Sequence, residues 1–530
     1  MTYKKSKIAL SQTGQFSKLI IDYINGNNSL HKFYSYEPKI GSFEKVIADK
    51  SKEKIDRNVL VEVLKEQYQR TNLKTPAAVE LLFKENTFTV CTGHQLCLFT
   101  GPLYFIYKIV STINLAEKLK KQYPSYNIVP VYWMATEDHD FEEIKSIHLF
   151  GKNLRWDNSE AKGAVGRLNT QSLSSLIEEL RALLGTGENA APLAEFINKA
   201  YSDQKNLADA TRYFVHQLFA EYGLVIIDAD DQKLKSGFSD IIKDDIFNNT
   251  NHQLVNNTIT ELEKAGVKAQ VNPREINCFY LLDNVRERIE NGGDTYKVLN
   301  TNISFTKEQL QTEIELHPDR FSPNVVLRPL YQQKILPNLA YVGGPGEIAY
   351  WLEYKTMFDH HKINFPVLVP RNFAMITDEK STNQLLKLGF VTNDIFRDAD
   401  ELIKEFINKN ASAGLSLREQ EEKLSKVFSE ISEKAVTIDS TLKSTVEAEM
   451  QKSINAVKNI ESKLMRAEKQ KQETSVNQIK KLKDKYLPEG VLQERYDNFI
   501  PFYLRSGKQF IADLKEAFDP FEFEMIILEI

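Results

Sequence analysis

Cysteine is scarce: Cys91, Cys97 and Cys278 are the only three among 530 residues. So small and odd a number argues against a disulfide framework. Nowhere does an apolar run reach about 18 residues, so no spanning helix is expected. Basic charge is not in excess. The 68 Lys and Arg are outweighed by 73 Asp and Glu, for a net charge of −5, whereas a nucleic-acid binder would carry a basic face. The opening MTYKKSKIALSQTGQF has lysines but no apolar stretch after them, so no secretory signal is expected. These absences describe a cytoplasmic protein with neither membrane nor nucleic acid as partner. Familiar signatures are missing too: no G-x-x-x-x-G-K-[ST], no G-x-G-x-x-G after a strand, no G-x-S-x-G and no H-E-x-x-H.

Proline is absent from one long stretch. None of the 17 prolines lies between Arg371 and Leu487, as expected of helices, which proline breaks. Inside it, Leu424, Phe428, Ile431, Ala435, Ile438 and Leu442 step by 4-3-4-3-4, a heptad seam. Val446, Met450 and Ile454 continue it with spacings of four. The pattern predicts two helices, about 416–437 and 440–485, as a hairpin or bent rod, with Asp439 or Ser440 as a cap.

What is present elsewhere is apolar. At 42% hydrophobic and 10% aromatic residues, the chain can bury a sizeable core. Short β-rich runs occur at Phe88–Cys91, Ile128–Met134, Leu224–Ile227 and Val367–Val369. Helical stretches alternate with them, Leu103–Leu119 reading as amphipathic. The expected fold is α/β, a parallel sheet with polar insertions near 151–215 and 240–320 and an α-helical coiled-coil domain. The expected divisions are an N-terminal segment at 1–85, a core at 86–380, the coiled coil at 381–487 and a C-terminal segment at 488–530 that returns to the core.

Polar residues crowd the ends of these runs, the edge where open α/β sheets bind ligands. One group is Thr92, Gly93, His94 and Gln95 with Thr100, Gly101 and Pro102, where a helix start offers free N–H groups to an anion; Lys108 follows two turns on. A second is Glu137, Asp138, His139 and Asp140, whose clustered charge calls for a metal, an amine or an arginine beside it. A third is Gly343, Gly344, Pro345 and Gly346, with Glu347 opening a helix over Ile348–Met357. Asp228-Ala229-Asp230-Asp231 also ends a strand. Cys91-x-x-His94-x-x-Cys97 invites a zinc reading, but no fourth ligand is evident and no zinc is expected.

These segments resemble one family. Thr92–Gln95 with Leu98–Tyr104, Pro130–Trp133 with Glu137–Phe141, Leu339–Glu347, and Leu492–Arg495 are similar, in that order, to the bacillithiol biosynthesis cysteine-adding enzymes (BshC). The resemblance runs from about residue 86 to the C-terminus. It implies a Rossmann-like core similar to class I nucleotidyltransferases, a dimerising coiled coil, and a ligase that joins cysteine to glucosaminyl malate through an amide. Such a reaction needs carboxyl activation, so ATP with Mg2+ is expected. On that reading Glu137, Asp138 and Asp140 hold an amine and His139 accepts a proton. Thr92, Gly93, His94, Gln95, Thr100, Gly101, Lys108, Gly343, Gly344, Gly346 and Glu347 bind substrate or nucleotide. Gln493 and Arg495 offer a second nucleotide site. The alternatives are a metal-dependent hydrolase built on Glu137–Asp140, and a non-catalytic coiled-coil scaffold.

Overall fold

A computed structural model describes residues 3–411 and 414–530. The chain forms two compact units, Met1–Met375 with Gln493–Leu528, and Ile376–Leu492 with Glu529–Ile530.

The first unit is organised by five strands: β1 (Thr87–His94), β2 (Asn127–Met134), β3 (Val225–Asp228), β4 (Asn338–Gly343) and β5 (Val367–Pro370). Their order across the sheet is β5-β4-β1-β2-β3, and every neighbouring pair is parallel. The chain steps outward from β1 to β2 and β3, then crosses back to the other side for β4 and β5. That reversal is the topological switch of a Rossmann-like sheet. The four runs read from the sequence are all here. The strands are almost continuously buried, because both faces are covered. Phe88 and Val90 share one apolar cluster with Leu115 and Leu119, and also with Phe43 and Val46 of the N-terminal segment. Cys91, Val129, Val131 and Trp133 share another with Tyr23, Leu60 and Tyr68.

Helix α1 (Tyr104–Gln122) differs from the amphipathic expectation: from Phe105 to Ala116 every side chain is buried. One side packs on β1 and β2 and another on the C-terminal helix Gln509–Ala517. That second partner is some 400 residues away in sequence, so the local pattern could not announce it. Between β2 and β3 lie a hairpin and four α-helices; between β3 and β4 lie five α-helices and a five-stranded antiparallel sheet. Helices α2 (Arg328–Ile335) and α3 (Pro345–Trp351) flank β4. Glu347 falls in the first turn of α3, and the helix expected over Ile348–Met357 ends at Trp351 instead.

The second unit is helical. Helices α4 (Arg418–Ile438) and α5 (Leu442–Lys471) pack together as a hairpin. The single helix expected over 440–485 breaks at Gln472, and α6 (Glu473–Tyr486) follows. No residue of α4 is fully buried, and Glu468 is the only such residue in α5. In α6, by contrast, Val476, Ile479, Leu482 and Tyr486 are buried. The hairpin therefore projects from a small packed base. No described helix is long and apolar enough to cross a membrane.

Candidate active site

A cavity of about 810 Å³ opens where β1 and β4 diverge. Gly93, His94 and Gln95 border it from the end of β1, and Gly344, Pro345, Gly346 and Glu347 from the turn after β4. Four other parts of the chain complete it. Gln270, Asn272, Arg274, Arg286 and Arg288 come from the insertion after β3, and Arg328 from α2. Arg371 follows β5, and Arg495 comes from the C-terminal segment.

Local geometry fixes the floor. A Cβ on Gly93 would sit 3.2 Å from the Tyr341 hydroxyl, so glycine lets the two strand ends stay close. The Tyr341 hydroxyl donates to Glu347. Gly344 N–H donates to Glu347 Oε2 at 2.8 Å, closing the first turn of α3. Lys108, 2% exposed, donates to both Glu347 oxygens at 2.8 and 2.7 Å, and to the Gly93 carbonyl. Burial lowers the Lys108 pKa against the pull of Glu347. The pair makes this lysine part of the frame.

Asp138 is the second anchor. Arg328 grips it with both guanidinium nitrogens, Gln95 donates to Oδ2 at 2.6 Å, and Arg286 lies 3.5 Å away. Burial alone would raise this carboxyl; Arg328 and Arg286 override it and hold it below the usual carboxylate range. Arg371 pairs with Glu494 at 2.5 Å, both fully buried, and Glu494 Oε2 also accepts Ala374 N–H. Leu492–Arg495 thus contributes a carboxylate to the frame and an exposed arginine to the wall.

The wall is strongly cationic. Lys108 and six arginines face three carboxylates, Asp138, Glu143 and Glu347. Arg274, Arg288 and Arg495 carry no ion pair among the described residues. Five side chains lining the cavity also hold buried polar atoms with no hydrogen-bond partner: His94 Nε2, Gln95 Oε1, Gln332 Oε1, Trp351 Nε1 and Arg371 Nε. Buried polar groups are rarely left so, and five around one cavity mark where a polar ligand belongs. Burial, with Lys108 and Arg371 adding to it, keeps the His94 imidazole neutral, its pKa well below the ordinary value. Aromatic walls come from Tyr104, Trp133, Tyr341 and Tyr350.

Of the residues singled out from the sequence, Gly93, His94, Gln95, Lys108, Asp138, Gly344, Gly346, Glu347 and Arg495 line this cavity. The others are placed elsewhere. Thr92 is buried and donates to Val342 O. Thr100 and Gly101 belong to a segment in which Phe99, Thr100 and Gly101 all have positive φ. Asn498 holds it by donating to the carbonyls of Phe99 and Gly101. Helix α1 starts at Tyr104, past Pro102. Glu137 is buried against Lys235 at 2.6 Å. His139 lies outside the lining, where its Nδ1 meets Arg286 at 2.6 Å. Asp140 caps the short helix Phe141–Ile144. Gly343 and Gln493 lie beside the lining without joining it. Cys91, His94 and Cys97 do not converge on an ion: Cys91 Sγ meets Gln332 Nε2 at 3.1 Å, and Cys97 packs beneath Gly101. Sequence reasoning missed Arg274, Arg286, Arg288, Arg328 and Arg371. No local signature joins them; only the cavity does.

Two family models cover the chain. Residues 1–372 match the N-terminal Rossmann-like domain of bacillithiol biosynthesis BshC, and residues 374–530 match its C-terminal coiled-coil domain. The chain belongs to the BshC family. A protein of Flavobacterium johnsoniae named "Putative cysteine ligase BshC" is 44% identical over 99% of both chains. One of the same name from Flavobacterium psychrophilum is 42% identical over 97% of both. Another, from Salinibacter ruber, is 31% identical over 95% of this chain and 94% of its own. The Rossmann-like core and the coiled coil expected of a BshC protein are thus the family's own two domains.

Proposed function

We propose that this protein is the cysteine ligase of bacillithiol biosynthesis, joining the carboxyl of cysteine to the amine of glucosaminyl malate. The observation that carries the reading is the cavity at the Rossmann switch, cationic and bordered by unsatisfied polar atoms. Glucosaminyl malate brings two malate carboxylates, and Arg274, Arg288 and Arg495 are the cations left to meet them. The aromatic walls suit the sugar.

A free carboxylate does not acylate an amine. ATP with Mg2+ supplies the leaving group, and the same unpaired arginines suit its phosphates. The chain's own residues then position and move a proton. The attacking amine must shed one as the amide forms. His94, neutral and bordering the cavity, is the acceptor we assign; His139, outside the lining and engaged with Arg286, is less suited to it. Asp138, locked by Arg328, orients Gln95 for a substrate amide or hydroxyl. The hydrolase alternative loses support, because Glu137 and Asp138 are each neutralised by cations and no ion-binding group of side chains forms there among the described residues.

We also propose that the hairpin of α4 and α5 pairs with a second copy. Packing of the two helices leaves Val427, Ile431, Ile438, Ile460 and Leu464 exposed, more apolar surface than a free hairpin tolerates well. Incubation with ATP, cysteine and glucosaminyl malate, followed by mass spectrometry of thiol and nucleotide products, tests the reaction. Bacillithiol with a matching loss of ATP is expected; an unchanged sugar amine would sink the ligase reading.

A further inference from the structure

A second cluster lies outside the cavity lining. Helix Ser239–Asn248 carries Asp244; helix Lys355–His360 ends in His360, and His361 follows it. One ligand atom from each of Asp244, His360 and His361 lies within 4.8 Å of the other two. Among the described residues, no other three His, Cys, Asp or Glu side chains converge in this way.

The carboxylate is held for the purpose. Asp244 Oδ1 accepts from Asn248 Nδ2 at 2.9 Å and from Thr250 Oγ1 at 3.2 Å. Its Oδ2 is buried and has no hydrogen-bond partner. That oxygen lies 3.9 Å from His361 Nε2, too far for a hydrogen bond. Two donors that each sit about 2.0–2.1 Å from one zinc ion lie up to roughly 4 Å apart. Asn251 adds an oxygen. It is fully buried, and its amide nitrogen donates to Asp245 at 3.1 Å. Its Oδ1 is hydrogen-bonded to His361 Nε2 at 2.8 Å, a bond that an ion held by both atoms would replace.

We propose that Asp244, His360 and His361, completed by Asn251 Oδ1, form a divalent transition-metal site of the zinc class. Two imidazoles and two oxygens suit zinc, nickel or copper, and are poor for magnesium and calcium, which take oxygen alone. The ion ties the helix of Asp244 to the end of the helix of His360. Its role is structural, because four protein donors leave no open position for a substrate. The next residue, Asp245, accepts Asn277 N–H at 2.6 Å. It thereby anchors one end of the segment that brings Gln270, Asn272 and Arg274 to the cavity wall. The site stands whether or not the ligase reading does.

The test uses the full chain, stripped with chelator and titrated with Zn2+ by calorimetry, and with Co2+ followed by visible absorption. One Zn2+ per chain, a tetrahedral cobalt spectrum and a raised thermal midpoint are expected. The exposed His360→Gln change, which leaves the fold intact, weakens binding by at least about tenfold, as does Asp244→Asn. Failure to bind Zn2+, binding by His360→Gln as tight as by the unaltered chain, or displacement of Zn2+ by equal Mg2+ would each overturn the site.

Discussion

Two edges of one sheet end in the same kind of sequence and have opposite fates. After β2 and β3, the polar residues other than Asp138 and Glu143, which line the cavity, are sealed. Thr136 donates to Asp228 at 2.5 Å, and Lys235 bridges Glu137 and Asp230 at 2.6 and 3.0 Å. Arg167 closes the group on Asp230. Lys235 is wholly buried. After β1 and β4 the polar residues border an open cavity, and His94, Gln95 and Arg371 keep atoms unsatisfied. The difference is topological. β2 and β3 follow one another on the same side of the sheet, so their exits are packed by a common insertion. β1 and β4 send the chain to opposite sides and leave a crevice.

The comparison breaks first at the sealed edge. Lys235→Met strands Glu137 as a buried, uncompensated charge and leaves Asp230 to Arg167 alone; such a loss costs about 3–5 kcal/mol. Urea unfolding should show this drop, and a midpoint close to that of the unaltered protein would mean that the edge is not sealed by charge. The open edge should respond in the reverse way. His94→Leu removes an orphaned polar group, so stability should move by less than about 1 kcal/mol, while turnover falls about 10²–10⁴-fold if His94 is the proton acceptor. Equal turnover would return the assignment to another base. On the outer wall, Arg288→Ala and Arg495→Ala should change stability by less than about 0.5 kcal/mol, raise KM and weaken its dependence on salt. A change in kcat alone would place these arginines outside ground-state binding.

A smaller, pH-linked effect is expected at the open edge. Glu353 accepts Gln270 N–H at 2.6 Å and Val271 N–H at 3.3 Å, and Asp245 accepts Asn277 N–H. Together they pin both ends of the cavity segment. Burial pushes each carboxyl up to about 7. The folded state therefore holds a proton that the unfolded state has already released, between the usual carboxylate range and about pH 7. Stability falls as pH rises through that window and levels off above it. Thermal melts from pH 5 to 8 should show the decline, and Glu353→Gln should flatten it; an identical slope in the variant would remove Glu353 as its source. In the second unit, Ile431→Glu with Ile438→Lys should lower the mass seen by light scattering to that of a single chain. A dimer that survives both changes would place the interface elsewhere.

Much of the architecture was legible. The four apolar runs are strands because each is a short, β-rich stretch between helical segments. The proline-free stretch is mostly helical because no proline interrupts it, although a strand, Phe373–Thr377, opens it and its helices break after Ile438 and at Gln472. Less of the site was legible. The Gly93–Gln95 and Gly344–Glu347 turns announced themselves as polar ends to apolar strands, yet so did Glu137 and Asp228–Asp231, which the fold turned into a buried network. Lys108 looked like a free charge, and Glu347, 239 residues away, neutralises it.

By itself the sequence determined what is set by near neighbours along the chain: strand and helix periodicity, the polar strand ends, the heptad seam, and the blocks that mark the BshC family. Tertiary structure alone decided which strand ends stay open, and that Arg274, Arg286, Arg288, Arg328, Arg371 and Arg495 share one cavity. It also decided that Asp244 meets His360 and His361. Local periodicity is a property of consecutive residues, so it can be read along the chain. Charge pairing and burial act through space, and the partners they join become neighbours only once the sheet reverses its order and the insertions fold back upon it.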